Sequence, residues 1–554
     1  MSKQPNIILI MADQLAASFI GCYGSGVPST PNLDAMAAYG CRFTRNYAAA
    51  PVCAPNRACI LTGRSSIING ICMNNMTLGG ENPAYPHVLR RQGYATGGFG
   101  KFHVTPMMWP VPENLRYLGF EESVITEDPK WGPYIDWVQE KYPQYLERAI
   151  AITNDHSGNR GASVPIETLQ GASTEEVEQK KQWFEKYMRP RMEKSPWDRM
   201  YPSPLPAEVH DTRYITDLGL DFIHRHAGED KPFFCHISYV DPHDPYNPPE
   251  PYASMFSPED MKEALPQEWK EEDFPYLAQA QRSYLRFDKI KDRPGVIAKL
   301  RALYHGSIKF IDDQIGRIIA RVRELGLWEN TVILFTTDHG DLMGDHGLIA
   351  KGETHYDACV RTPLIAAGGP VQEGIVSQRL TTSLDIYPTL CAWAQCRAEE
   401  LPPLEGISFA EVCGGAEQDP HEEIGIMLGN SSTVITREGY RLTLNTAERI
   451  TGQMFFLKDD PQEQHNLYRE SAYAEKKQEL LERLMRVKNA PAFMPQYAVL
   501  PVRDGRAFIN DGATCSIPLY PQTRSPWHED APKPCWRAEE KRPKGCGRKE
   551  SDSK

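Results

Sequence analysis

The sequence predicts an α/β protein built on a mixed, mainly parallel sheet between helices, and three apolar runs carry that expectation. Asn6-Ile7-Ile8-Leu9-Ile10-Met11, Phe233 to Val240 and Thr331 to Phe335 are continuous apolar stretches rich in β-branched and aromatic residues. Strands that read apolar at nearly every position, instead of alternating, are those buried on both faces of a sheet. Between the second and third runs, Ile308, Ile311, Ile315, Ile318, Ile319, Val322 and Leu325 fall on one face at helical spacing, with Gly326 where a C-terminal cap belongs. Buried strands alternating with helices define a layered α/β domain. After about residue 400 the texture changes. Val434-Ile435-Thr436 and Tyr440 to Leu444 read as two short strands about a turn at Glu438-Gly439, and 478–488 reads as a helix. A smaller α+β subdomain with a short antiparallel sheet is expected there.

At 554 residues the chain is too long for one compact core. The expected division is a catalytic region over 1–400, a subdomain over 401–500 and a tail over 501–554. Within the first, 104–230 is less regular, with Trp, Pro and charged stretches, and reads as an insertion shaping substrate access. The tail is rich in Pro, Arg and Lys, so it is either extended over a neighbouring surface, a route to homo-oligomers, or disordered. No internal repeat is visible.

Apolar residues make up 41% and charged residues 24%, as in an ordinary globular enzyme. The net charge of -12 excludes nucleic acid as a partner, because no basic face can displace counterions from phosphates. An anionic substrate must then be held by a local cluster of cations. No run reaches the roughly 18 apolar residues of a membrane span. No basic, apolar and small-residue leader opens the sequence, so a cytoplasmic protein without membrane contact is expected. The 13 cysteines lack disulfide-scaffold or zinc spacing and read as buried reduced thiols, Cys53 excepted.

Each apolar run is followed at once by polar residues: Asp13-Gln14, Asp241-Pro242-His243 and Asp338-His339-Gly340. In open α/β sheets ligands gather beyond the carboxyl ends of the strands. A lone Asp after a strand is ordinarily a helix N-cap. A hard divalent ion collects carboxylate and carbonyl oxygens from separate strand ends and tolerates imidazole, and two such sites favour it over the cap only beside the cysteine motif that follows.

The sharpest motif is Cys53-Ala54-Pro55-Asn56-Arg57, followed by Leu61-Thr62-Gly63. By itself it is a cysteine beside a proline-stiffened turn, and a structural cysteine would suffice. With Leu-Thr-Gly at that distance it resembles the signature of the sulfatase family of the alkaline phosphatase superfamily. Gly100-Lys101-Phe102-His103, Asp241 to Tyr246, and Gly347 to Lys351 with Tyr356, Arg361 and Pro363 extend the resemblance over most of the chain.

The resemblance implies an alkaline-phosphatase-like domain and a sulfuric ester hydrolase acting on a small-molecule or carbohydrate sulfate ester. It implies that a maturation enzyme oxidises Cys53 to formylglycine, whose hydrate is the nucleophile. One divalent metal would lie on Asp13, Gln14, Asp338, His339 and the group made from Cys53, with calcium favoured and magnesium or manganese open. Arg57, Lys101 and Lys351 would hold sulfuryl oxygens. His243, alone or with Lys351, would protonate the leaving alcohol, and His103 would take a proton from the second hydroxyl of the hydrate. Asn74, eleven residues beyond Gly63, matches a substrate-contacting asparagine, with Asn75 the adjacent alternative.

Asn56 stands where many members have Ser, and Phe102 where they have Trp. Gln14 replaces a second Asp, which is similar to the choline sulfatase and phosphonate monoester hydrolase branches and lowers the negative charge around the ion. A phosphonate monoester or phosphodiester hydrolase is therefore the alternative. The phosphonate hydrolases carry Tyr and Thr where this chain has Lys101 and His103, which favours sulfate. A sulfate-binding protein without turnover would require Cys53 to stay unmodified. The segments Asp385 to Leu390 and Asp460 to Leu467 match later parts of the family pattern and read as packing.

Overall fold

The computed structural model describes residues 4–488, except 81, 106, 108–113, 131, 154–173, 284–286, 418, 420 and 448, and beyond them 502–503, 506–508 and 514–515. Most of the expected tail therefore lies outside the described residues.

All three apolar runs are strands. β1 spans Asn6–Ala12, β5 Phe233–Ser238 and β6 Thr331–Thr337, each buried throughout. They join β2 (Gly40–Tyr47), β3 (Ala95–Gly100), β4 (Glu122–Ile125), β7 (Leu364–Ala367) and β8 (Ile375–Thr382) in one eight-stranded sheet. The strand order is β4-β3-β5-β1-β6-β7-β2-β8. Every neighbouring pair is parallel except the two made by β7.

β1 shows why the runs read apolar at each position. Ile8, Ile10 and Ala12 pack into one core, and Ile7, Leu9 and Met11 into another on the opposite face. The first core is covered by helices Asp211–His226 and Val296–Glu324, and the second by helices Cys53–Thr62, Tyr85–Arg91 and Ile386–Trp393. The long helix starts earlier than its isoleucine stripe suggests, because Val296, Leu300 and Leu303 continue the same buried face. Gly326 adopts a φ of 67°, the left-handed turn that ends such a helix. The stretch 104–230 is more than a cover: it supplies edge strand β4 and the helix Asp211–His226 to the main layers.

The smaller subdomain is a four-stranded antiparallel sheet, with β9 (Glu423–Leu428), β10 (Ser431–Thr436), β11 (Tyr440–Asn445) and β12 (Thr451–Phe456) in the order β12-β11-β10-β9. Helix Ala474–Lys488 packs on one face of it through Leu480 and Leu484. From the other face Ile424, Ile426, Ile435 and Phe455 meet Leu342, Leu348 and Tyr356 of the segment after β6. The small sheet thus backs the segment that carries Lys351. No helix among the described residues is long and apolar enough to cross a membrane.

Strand β3 ends on Gly100, where φ is 102° and an added Cβ would overlap the Ser238 carbonyl of β5. Gly100→Ala is expected to cost about 2 kcal/mol or more, combining αL strain with a clash. Gly93→Ala, at φ 91° but facing open space, should cost less. Urea unfolding of both variants checks the contrast.

Candidate active site

The carboxyl ends of β1, β3, β5 and β6 converge on helix Cys53–Thr62, and nearly all of the residues singled out in the sequence meet there. Asp13 follows β1, Lys101 and His103 follow β3, and Asp338 and His339 follow β6. Cys53 opens its helix, buried to 1% exposure. Its Sγ lies 3.2 Å from His339 Nε2 and 3.7 Å from Asp13 Oδ1. Asp13, Cys53, Asp338 and His339 each offer a donor atom, all within 4.8 Å of one another and all buried.

Arg57 stands one helical turn beyond Cys53 and organises this group. Its Nε donates to Asp338 Oδ2 at 2.7 Å and its Nη2 to Asp13 Oδ2 at 3.3 Å. Nη1 donates to the Lys101 carbonyl at 2.7 Å and to Ser238 Oγ at 2.9 Å. Every guanidinium nitrogen is therefore engaged by protein. Asp13 also pairs with Lys101, whose ammonium pairs in turn with Asp128. Burial alone would push the Asp13 carboxyl up, but Lys101, His243, Arg57 and Lys351 outweigh it and hold it well below the usual carboxylate range. Burial likewise opposes the charge on Lys101, and Asp128 and Asp13 more than offset it. Both side chains are charged.

Two of the site histidines, His339 and His103, are held neutral by burial. His339 Nδ1 faces the Gly340 carbonyl at 3.0 Å, so the proton sits on that nitrogen and the Nε2 lone pair is turned toward Cys53. Burial lowers its pKa, which keeps the ring neutral. His103 is fully buried, and neither ring nitrogen has a hydrogen-bond partner among the described residues. Burial first, then the Lys101 charge, pushes its pKa well down. Lys101 and His103 do not lie on the strand itself. β3 has ended at Gly100, and His103 sits in a turn at φ 49°, held by its N–H donating to Glu127 Oε1 at 2.8 Å.

On the opposite wall His243 and Lys351 are in contact, Nε2 to Nζ, while His243 Nδ1 faces the Asp244 carbonyl at 2.7 Å. Two donors cannot share one line, so this contact holds a single proton between the two nitrogens. Burial and Lys351 work against the imidazolium, but Asp244, Asp128 and Asp13 outweigh them and lift His243 to about 8.

Gln14 occupies a left-handed φ of 59°, and the structure holds it at every polar atom. Its N–H donates to Asp338 Oδ1 at 3.0 Å, and its carbonyl accepts from Tyr304 Oη at 2.5 Å. Its side-chain Nε2 donates to Asp341 Oδ2 at 2.6 Å, and its Oε1 faces Lys351 Nζ. Asn74 Oδ1 accepts from the Ala54 N–H at 3.0 Å, tying it to the start of the Cys53 helix.

Several contributors escaped the sequence reading. Asn56 is a buried bracket: its Oδ1 accepts from Ser383 Oγ at 2.7 Å and from the N–H groups of Ala49 and Ala50 at 3.1 and 3.4 Å, and its amide donates to the Asp338 carbonyl. Glu127 and Asp128 follow strand β4, the same signal that marked Asp13 and Asp338, but Glu122–Ile125 is too short and polar to be read as a buried strand. Burial pushes Glu127 up to about 7. Asp385 caps its own turn and accepts from the Ile407 N–H at 2.8 Å, a packing role as the sequence suggested.

The donor set fits a hard divalent cation: two buried carboxylates and an imidazole with its Nε2 lone pair turned inward. Comparison with known proteins agrees. The Sulfatase family profile matches residues 5–396. The chain belongs to the sulfatase family. It is accordingly a sulfuric ester hydrolase, of a family that generally uses a divalent metal and formylglycine. Among its relatives, an arylsulfatase of Clostridium perfringens is 29% identical over 497 residues, covering 85% of this chain and 92% of the relative. A choline-sulfatase of Rhizobium meliloti is 26% identical over 478 residues, covering 84% and 82%. The crystal structure of a phosphonate monoester hydrolase of Agrobacterium radiobacter superposes with a TM-score of 0.68 at 23% identity, covering 88% of this chain and 95% of that one.

Asn56→Ala strands the Ser383 hydroxyl, the Ala50 N–H and the Asp338 carbonyl at once, while the Ala49 N–H keeps Ser383 Oγ at 3.0 Å. We expect it to lose about 3 kcal/mol or more in urea unfolding, given roughly 1–3 kcal/mol for each buried group left unsatisfied. Asn56→Ser, which keeps an acceptor, should lose less.

Proposed function

We propose that the chain hydrolyses sulfate monoesters through a formylglycine made from Cys53 and one divalent ion, calcium being the favoured candidate. The observation that carries this reading is Cys53 at a helix start, with its Sγ among Asp13, Asp338 and His339 and with Arg57 bound to both carboxylates. Formylglycine supplies a hydrated aldehyde with two hydroxyls, one to attack sulfur and one to release sulfate. Asp13, Gln14, Asp338, His339 and the group made from Cys53 would hold the ion, which would supply polarisation of the attacking hydroxyl.

The chain's own residues then divide the work. Arg57, its nitrogens engaged by protein, holds Asp13 and Asp338 in place instead of meeting the sulfuryl oxygens. Lys101 and Lys351 flank the place of the sulfuryl group and offset the charge that develops there, a preorganised electrostatic stabilisation. The His243–Lys351 pair delivers its shared proton to the leaving oxygen. His103, neutral and without hydrogen-bond partners among the described residues, takes the proton from the second hydroxyl. Lys101 and His103 in this arrangement favour sulfate over phosphonate. Asn74 is proposed as a substrate contact beside the nucleophile.

Peptide mass spectrometry of active enzyme should show a loss of about 18 Da at Cys53, the change from thiol to aldehyde. Cys53→Ala should abolish turnover, and the parent should cleave an aryl sulfate faster than the matching aryl phosphonate. An active enzyme with an intact thiol at Cys53 would sink this reading.

The histidines should separate by leaving group. His243→Ala should damage turnover of an alkyl sulfate far more than that of nitrophenyl sulfate, whose phenolate departs with little help. His103→Ala should be nearly indifferent to the leaving group and should stall after a burst, with a sulfated adduct visible by intact-protein mass spectrometry. The proton delivered is the one His243 shares with Lys351, so alkyl sulfate turnover by the parent should fall as pH rises through about 8, the value to which His243 is lifted. Equal leaving-group sensitivity in both variants overturns the division of labour.

A further inference from the structure

Asp341 is fully buried beside the site, and the proposed chemistry leaves it unused. Its carboxylate accepts four hydrogen bonds. Oδ1 takes the N–H groups of Met343 and Ala350 at 2.9 and 2.8 Å, and Oδ2 takes Tyr246 Oη at 2.7 Å and Gln14 Nε2 at 2.6 Å. All four partners point donors at it, as an ionised carboxylate with two lone pairs on each oxygen requires.

We infer that Asp341 is a positioning residue that orients the Gln14 amide, so that Oε1 and not Nε2 faces the ion, and that makes a neutral amide obligatory at position 14. This rests on Gln14 being a ligand, as proposed above. An amide is nearly symmetric in shape, and nothing in its own stereochemistry decides which end faces the cluster. An Asp341 oxygen 2.6 Å away decides it, because it can only accept and so captures the NH2 end. The oxygen end is left toward Lys351. A carboxylate at position 14 would instead put two anionic oxygens in contact inside a buried site. The same Asp341 holds Ala350, at φ 61°, and through it the turn that presents Lys351. One side chain thus sets both a ligand and a cation of the site.

The test is a cycle on the full chain, stripped with chelator and titrated calorimetrically with calcium chloride alone. Asp341→Asn keeps its oxygen on the two main-chain N–H groups and turns its NH2 toward Gln14. The Gln14 amide must then flip and present NH2 to the ion. Calcium affinity should fall about tenfold or more, the range for losing a partner that orients a ligand. In the Gln14→Glu background the sign should reverse. The amide that Asp341→Asn introduces now donates to the new carboxylate, so adding that substitution should raise affinity. A purely architectural Asp341 would lower affinity in both backgrounds, and that result overturns the inference, as does parent-like affinity in the Asp341→Asn single variant. Where a single variant fails to unfold cooperatively, a restored transition in the double variant supports the orientation role and its continued absence overturns it. Gln14→Ala separates the two claims. Calcium lost there but kept in Asp341→Asn rejects only the inference, whereas calcium retained in Gln14→Ala rejects Gln14 as a ligand.

Discussion

A guanidinium with 2% of its surface exposed must find its hydrogen bonds inside the protein, and Arg57 finds them at the ends of four strands. Removing such a cation from water costs several kcal/mol even after relaxation, and only well-placed anions and carbonyls offset that. Here the acceptors are Asp13 after β1, the Lys101 carbonyl after β3, Ser238 at the end of β5 and Asp338 after β6. The register that aligns them is that of the sheet itself: Ala12 lies opposite Thr337, and Gly100 opposite Ser238. A slip of one residue in β1 or β6 would turn Asp13 or Asp338 away from the guanidinium, because successive side chains point to opposite faces. Arg57 therefore couples the position of the nucleophile helix to the register of the core.

Around that cation the site balances its charges closely. Asp13 and Asp338 are matched by Arg57 and Lys101 before any ion or substrate arrives, and Asp128 stands behind Lys101. A divalent ion together with Lys351 then supplies the excess positive charge that an anionic ester needs inside an acidic protein. With a glutamine at position 14, a third carboxylate does not cancel that excess. Backbone strain is concentrated in the same place. Gln14, His103, Met343, His346 and Ala350 all have positive φ, a conformation that costs a non-glycine residue roughly 1 kcal/mol or more. Main-chain N–H groups donating to Asp338, Glu127 and Asp341, and Tyr304 donating to a main-chain carbonyl, hold four of those turns, and the buried apolar sheet supplies the stability that lets them persist.

The small C-terminal sheet belongs to this arrangement. Its inner face packs against Leu348 and Tyr356, and Tyr356 stacks on His346 with ring centroids 3.9 Å apart. Arg441 of β11, buried against Glu463, also donates to the His355 carbonyl. The segment carrying Lys351 is thus fastened at its far end by the subdomain and at its near end by Asp341. Lys351 reaches His243 because both fastenings agree.

By itself, the sequence determined the layered α/β class, the three central strands, and the cluster of Asp13, Cys53, Asp338 and His339. The strands were legible because burial on two faces imposes apolar runs, and the cluster because ligands collect at strand ends and the local cysteine motif resembles the sulfatase signature. The roles of Asn56, Glu127, Asp128 and Asp341 were decided only by tertiary structure. Their partners lie far away in the chain: Asn56 meets Ser383, and Asp341 meets Gln14 and Tyr246. Nothing in the local sequence distinguishes a carboxylate that will bind an ion from one that will orient a neighbour's amide. That difference depends on which donors surround it once the chain has closed, and those donors come from elements brought together by the sheet.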